Sequence, residues 1–290
     1  MKRNLVRCFL IAFFSVFTIC AENTYTAKQA SVILIDLPAQ TADTSVFLII
    51  FRWPFYQVAA NRVLVAVDVE QEPGIYPISL VQNLRPRPFG QLTVRKGVFP
   101  KINLPRIYVD SQKKVRLEEE ESAIVQALGS GPLLYPSQQL KDRFDYPLEK
   151  LSADNVRSYV SDGIGSVRTR LRVWPDRRKE WHTAVHRGVD LKARYENVKA
   201  INPGMVVLTG NYLAEGQFIV IYHGSDVYSL YMHLSKIYAL TEQYVAKGEI
   251  IAQSGESGNA TGPCLHFAIR AFGASVNPLE FIEIYNPFLE

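Results

Sequence analysis

Between residues 31 and 106, apolar runs alternate with turn residues at intervals of roughly ten. Val32-Ile33-Leu34-Ile35 is closed by Pro38, and Val46 to Phe51 is interrupted by Arg52-Trp53-Pro54. Val63 to Val67 leads into a Glu72-Pro73-Gly74 turn, then Tyr76 to Leu80, and Gln91 to Val94 alternates. This spacing predicts strands of a small β-sandwich-like domain over residues 28–110. From Val115 to Leu128 the period changes. Ile124, Val125 and Leu128 fall at helical spacing, and Gly129-Ser130-Gly131-Pro132 supplies a stop. The acidic run Glu118 to Glu121 sits in the first half of this helix, where the dipole tolerates it, and reads as a solvated face. Helix and connector together fill residues 111–152. Strand patterns then resume at Met205 to Leu208, Phe218 to Tyr222, Val227 to Tyr231, Ile250 to Ala252 and Leu265 onward. The chain is therefore expected to be mostly β, with a second, antiparallel β domain over 153–290.

Composition changes this picture little. The 290 residues include 48% hydrophobic and 21% charged residues, and this suits two ordinary globular units. The start is different. Lys2, Arg3 and Arg7 precede the apolar run Phe9 to Phe17, which predicts an export signal over residues 1–20. Three outcomes stay open there: cleavage after Cys20 or Ala21, a lipid on Cys20, or a retained anchor. The expected location is the periplasm or cell envelope, with membrane contact only through that anchor or lipid. Without residues 1–20 the chain has 29 cations against 28 anions, so charge gives no case for nucleic acid. One cysteine then remains, Cys264, which has no partner for an internal disulfide.

All five histidines lie in the second domain: His182, His186, His223, His233 and His266. In Gly262-Pro263-Cys264-Leu265-His266-Phe267, strand alternation puts Cys264 and His266 on one side and Leu265 and Phe267 toward a core. In His186-Arg187-Gly188-Val189-Asp190, a straight strand would hold the His and Asp roughly 13 Å apart. Sharing one ion requires a bend, and Gly188 is the residue able to provide it. In Tyr231-Met232-His233-Leu234, Tyr231 and His233 are expected on one face. Each His alone is as consistent with a structural hydrogen bond as with metal binding. Two histidines and one carboxylate would leave a fourth zinc position open.

Taken in order, these motifs resemble the lysostaphin/LytM-type zinc metallopeptidases, a family of peptidoglycan endopeptidases. The likeness rests on His186-x-Gly-x-Asp190, Tyr-x-His233-Leu-Ser, the Lys247-Gly248-Glu249-Ile250-Ile251-Ala252 hairpin, and Gly255-x-x-Gly258-x-x-Thr261-Gly262-Pro263-x-Leu265-His266-Phe267. It runs from about Gly163 to Pro278. The resemblance implies a compact antiparallel β fold with an open groove and one zinc ion. His186, Asp190 and His266 match the zinc ligands, and His233 matches a catalytic histidine beside the reacting water. His223 matches a family position read as structural, and His182 matches none and is expected on a loop. Stem peptides of peptidoglycan are the implied substrate. Residues 28–150 resemble the β-rich N-terminal region of some exported members.

One position departs from the pattern. The family motif is H-x-H, and this chain has Cys264-Leu265-His266. The ligand is kept, and the first histidine, which serves the water and the developing oxyanion, is a thiol. A thiol is a weak donor, and loss of one such donor costs roughly 100- to 1,000-fold in rate. Three readings follow: a handicapped endopeptidase, a catalytically silent module that binds wall or activates another wall hydrolase, and a closed site with Cys264 as fourth ligand.

Overall fold

The computed structural model describes residues 23–38, 46–51, 53–59, 62–134, 140 and 142–289. The expected export signal, with Cys8 and Cys20, lies outside them. The chain is mostly β, as its pattern predicts. Among the described residues no helix is long and apolar enough to cross a membrane.

Seven strands before residue 96 form one hydrogen-bonded path: Asn23–Lys28, Arg85–Arg95, Gly74–Gln82, Phe47–Ile50, Trp53–Ala59, Arg62–Ala66 and Val32–Asp36. The two strands at the ends of this path are joined by a short turn at Gln29 to Ser31. So short a link forces the path to curl back on itself. Leu48, Val63, Val65, Ile78, Leu80 and Leu92 fill the interior and are buried. The run Val46 to Phe51 is interrupted as expected, at Phe51, but Trp53 and Pro54 already belong to the next strand, Trp53–Ala59, which pairs with its neighbours on both sides.

The later part is built on a ten-stranded sheet whose central strands are Leu265–Ala271, Val227–Ile237, Gly216–Gly224 and Gly204–Tyr212, all antiparallel. Its two faces differ. Leu265, Phe267 and Ile269 point into the main core with Val189, Leu191, Ile219, Ile221 and Tyr231. The opposite face carries His266 and Ala268, paired with Met232 and Leu230 on the next strand. The helix Pro278–Tyr285, N-capped by Asn277, packs its apolar side on the main core, which continues into the first sheet. Val69 N–H donates to Ser275 O, and Ser275 N–H to Asp68 Oδ2, across that junction.

A third, four-stranded sheet was not expected. The hairpin Val167–Val173 with Lys179–Val185 takes up Lys101–Asn103 and Ile107–Tyr108 as parallel neighbours. His182 lies on this hairpin opposite Arg170, not on a loop.

The long helix also departs from expectation. It spans Ser111–Leu134 and runs through Gly129 to Pro132 instead of stopping there. Packing overrides the glycine penalty. A Cβ at Gly131 would sit 2.5 Å from the Tyr222 ring, and its N–H donates to Tyr228 Oη at 3.2 Å. Within the acidic run Glu118, Glu119 and Glu121 are exposed, but Glu120 is buried and accepts from Leu213 N–H. The stretch after the helix is not a loose connector, since Phe144, Leu148 and Leu151 are buried in the core.

Candidate metal site and its groove

His266 stands on the strand Leu265–Ala271, directly in register with Asp190 on Val189–Leu191. His186 reaches the same point from the segment just before that short strand. The chain bends at Gly188 as expected, which brings His186 to Asp190, and the glycine has a second part to play. A Cβ there would lie 2.7 Å from His266 Nε2 and 2.8 Å from the Phe267 carbonyl, so glycine admits the imidazole. His186 Nε2, His266 Nδ1 and Asp190 Oδ1 form a triangle with edges of 2.9, 2.9 and 3.2 Å. Zinc with bonds near 2.0 Å has tetrahedral edges of roughly 3.3 Å, so the donor set and its spacing fit that ion. Among the described residues the group of ligand atoms lying this close together comprises these three, and Cys264 is not part of it.

Two of the three cluster residues, His186 and Asp190, are oriented from behind. His186 Nδ1 lies 2.9 Å from the Gly163 carbonyl, which only accepts, so Nδ1 carries the proton and Nε2 keeps its lone pair. Asp190 and Asp162 face each other across a strand pair. Arg168 bonds both, through Asp162 Oδ2 at 2.9 Å and Asp190 Oδ2 at 2.5 Å, and so leaves Oδ1 for the cluster. Burial pushes the Asp190 pKa up, but the close contacts with the His186 and His266 rings outweigh it and hold the carboxyl well below its usual range. Burial lowers the His266 pKa to about 4, which keeps the ring neutral at pH 7.

His233 reaches the site by an unexpected route. Alternation predicts it on the same face as Tyr231, but Tyr231 is in the core. His233 has φ 64, and between Tyr231 and Leu234 the strand carries one residue more than its partner, a β-bulge. The bulge turns His233 to the metal side, with its ring centroid 6.1 Å from that of His266. Its Nδ1 is 2.9 Å from the Ser257 carbonyl, so Nδ1 carries the proton and Nε2 is free to accept one. Burial lowers its pKa. By contrast His223 has both nitrogens engaged, with the Pro203 carbonyl and with Ser229 Oγ. Cys264 is half-buried at the edge of the site, and burial, followed by the Asp190 charge, pushes its thiol up to about 11.

The groove that should extend from this cluster is filled. Beyond His266 its floor is Ala268, Leu230, Val220, Phe218, Tyr222 and Tyr228, and Ile124 of the helix Ser111–Leu134 is buried against them. The helix offers a thin stripe for this: Leu117, Glu120, Ile124, Ala127 and Gly131. Sequence reasoning missed this cover, together with Arg168 and Asp162. The alternation V-R-T-R-L-R-V was the one available signal for the hairpin that carries Arg168.

Residues 184–278 match the family model for Peptidase family M23. Over 98 residues the chain is 37% identical to peptidoglycan DD-endopeptidase ShyA of Vibrio cholerae, a match covering 33% of this chain and 23% of that protein. Over 99 residues it is 35% identical to murein hydrolase activator NlpD of Salmonella typhimurium, covering 33% and 26%. The match thus spans about a quarter of the length of these curated relatives. A crystal structure of a putative peptidase M23 from Pseudomonas aeruginosa superposes with a TM-score of 0.58 at 20% identity, covering 88% of this chain and 95% of that one, and shares the fold.

Proposed function

Since the chain carries a peptidase M23 domain of the LytM/lysostaphin type at residues 184–278, we propose that it is an exported zinc metallo-endopeptidase that hydrolyses peptide cross-links of peptidoglycan. The observation behind this reading is the triangle of His186, Asp190 and His266 with the free Nε2 of His233 beside it. One zinc ion, held by those three residues, would polarise the scissile carbonyl and make water nucleophilic at neutral pH. His233, neutral because it is buried, would take the proton that the water loses and return it to the amine that leaves. The Cys264 thiol stays protonated at pH 7 and is a weak donor toward the oxygen that gains charge. Turnover on this account is slow, and it requires the helix Ser111–Leu134 to leave the groove floor. Arg168 holds Asp190 by Oδ2, so that Oδ1 would be the oxygen left for the ion.

Incubation of the zinc-loaded protein with cross-linked peptidoglycan, followed by mass analysis of the muropeptides, tests the proposal. New un-cross-linked stems are the expected product. Unchanged cross-links, with zinc bound and the helix released, would overturn it. The covered groove and the thiol at position 264 favour a second reading, in which the domain is catalytically silent and acts on wall peptides or another wall hydrolase. In either reading the protein works in the periplasm or cell envelope, free or held by a lipid on Cys20.

A further inference from the structure

The strand Val167–Val173 holds two arginines that the metal cluster does not use. Its alternation puts Arg168, Arg170 and Arg172 on one face at steps of about 7 Å. Arg168 is neutralised by Asp162 and Asp190. Arg170 and Arg172 are half-buried, and among the described residues neither guanidinium has a hydrogen bond or an ion pair. The Nε of each is buried without an acceptor, and so is the indole Nε1 of Trp174, next in the same alternation. Three buried side-chain nitrogens thus lack a partner among the described residues along one line of the hairpin. Glu180 stands opposite Arg172 in register without pairing to it. Burial, then the neighbouring Arg168 and Arg172 charges, lowers the Arg170 pKa, as expected of cations crowded without an anion.

A buried donor without an acceptor is destabilising, and native proteins rarely leave several together. A planar guanidinium is built to bind carboxylate through two parallel bonds. The spacing of about 7 Å is that of alternate side chains along an extended peptide. We propose that Arg170 and Arg172 form an anion subsite on the wall of the groove that takes free carboxylates of the stem peptide. This inference rests on the wall-peptide reading given above. The helix that covers the groove carries a competing anion: the pKa of His182, the cross-strand neighbour of Arg170, is lowered by burial and then by Arg172, and Glu121 lies near enough to oppose that shift in part.

The test uses the zinc-loaded full chain and two synthetic stem tetrapeptides that differ only in having free carboxylates or carboxamides. Affinities are measured by titration calorimetry for the parent protein, for Arg170→Gln/Arg172→Gln and for the groove-opening variant Ile124→Ala. The parent or the opened variant should prefer the free acid at least ten-fold, and salt should erode that preference. The double glutamine variant should bind the two peptides within two-fold of each other while keeping its zinc. Equal affinities in both the parent and Ile124→Ala, a preference that survives the double substitution, or no binding of either peptide would each overturn the subsite. Cleavage is scored separately. Hydrolysis without a carboxylate preference removes the subsite and leaves the peptidase; a preference without hydrolysis does the reverse.

Discussion

One face of one sheet carries two regions built on different principles. At its metal end, His186, Asp190 and His266 come from three segments, and a separate group behind His186 and Asp190 fixes each: Gly163 and Arg168. A few residues along the same strands, Ala268, Leu230 and Tyr228 form an apolar floor, and a helix covers it with a stripe that includes a buried glutamate and a glycine. The first region is over-determined, so small shifts elsewhere leave it intact. The second relies on a few contacts, of which Ile124 is the largest side chain buried. The groove can therefore open without dismantling the cluster.

The largest expected effect breaks the first region outright. In His266→Ala the triangle loses a corner, and zinc content should fall from about one equivalent to near zero, read by metal analysis of protein purified without chelator. Hydrolysis should go with it. Zinc retained at the parental level would mean that His266 is not a ligand.

Next comes the position between the regions. Cys264→His would put an imidazole donor where the thiol now stands, worth on the order of 2–4 kcal/mol of transition-state stabilisation, or roughly 30- to 1,000-fold in cleavage. Cys264 is half-buried at the groove edge, while the neighbouring Leu265 packs inward, so the added bulk has room. Cleavage that does not rise, with zinc still bound, would favour the silent reading.

The second region is probed by Ile124→Ala. Alanine keeps helix propensity, and it removes the main apolar contact of the cover. A loss of about 2 kcal/mol of docking is at the low end for such a truncation, and it would raise the open fraction roughly 30-fold. Cleavage should rise in step and the helix should become sensitive to protease, with zinc content unchanged. If the helix loosens and cleavage stays the same, the cover does not limit access.

The two regions were unequally legible in the sequence. The cluster was, because a metal needs particular residue types, and His186, Asp190 and His266, which the structure brings together, stand in short motifs around glycines and strand alternation. The route of His233 was not, because a bulge reverses the face that period-two alternation assigns. The cover was half legible. Helical spacing announced Ile124 and Leu128, but Gly129 to Pro132 looked like a stop, since nothing local reveals that Tyr222 and Tyr228 require a glycine at 131. The Arg-rich hairpin was passed over because its alternation is of arginine with threonine and leucine, and its residues are half-exposed, so burial leaves little mark on the pattern. In the first sheet, apolar runs marked several strands, while the polar Asn23–Lys28 carried no such mark.

The smallest effect lies at the far end of the covered region. Asp226 sits in the turn between Gly216–Gly224 and Val227–Ile237, with φ 58, a conformation that asparagine also tolerates. Burial raises its pKa from 3.8 to about 6, and Arg270 only partly offsets this. The folded state therefore binds this proton more tightly than the unfolded chain does. Its contribution to stability is present in full below pH 3.8 and is lost as pH rises through about 6, leaving a buried charge at neutral pH. Asn has no proton to lose. Asp226→Asn should match the parent in thermal midpoint at pH 3.5, and the variant should become more stable, by a few degrees at most, between pH 4 and 7. Zinc content should not change, because Asp226 touches no residue of the metal end. A variant less stable than the parent at pH 7 would mean that the attraction of Arg270 outweighs the burial of the charge, and the far end would then be held by polar pairing as the metal end is.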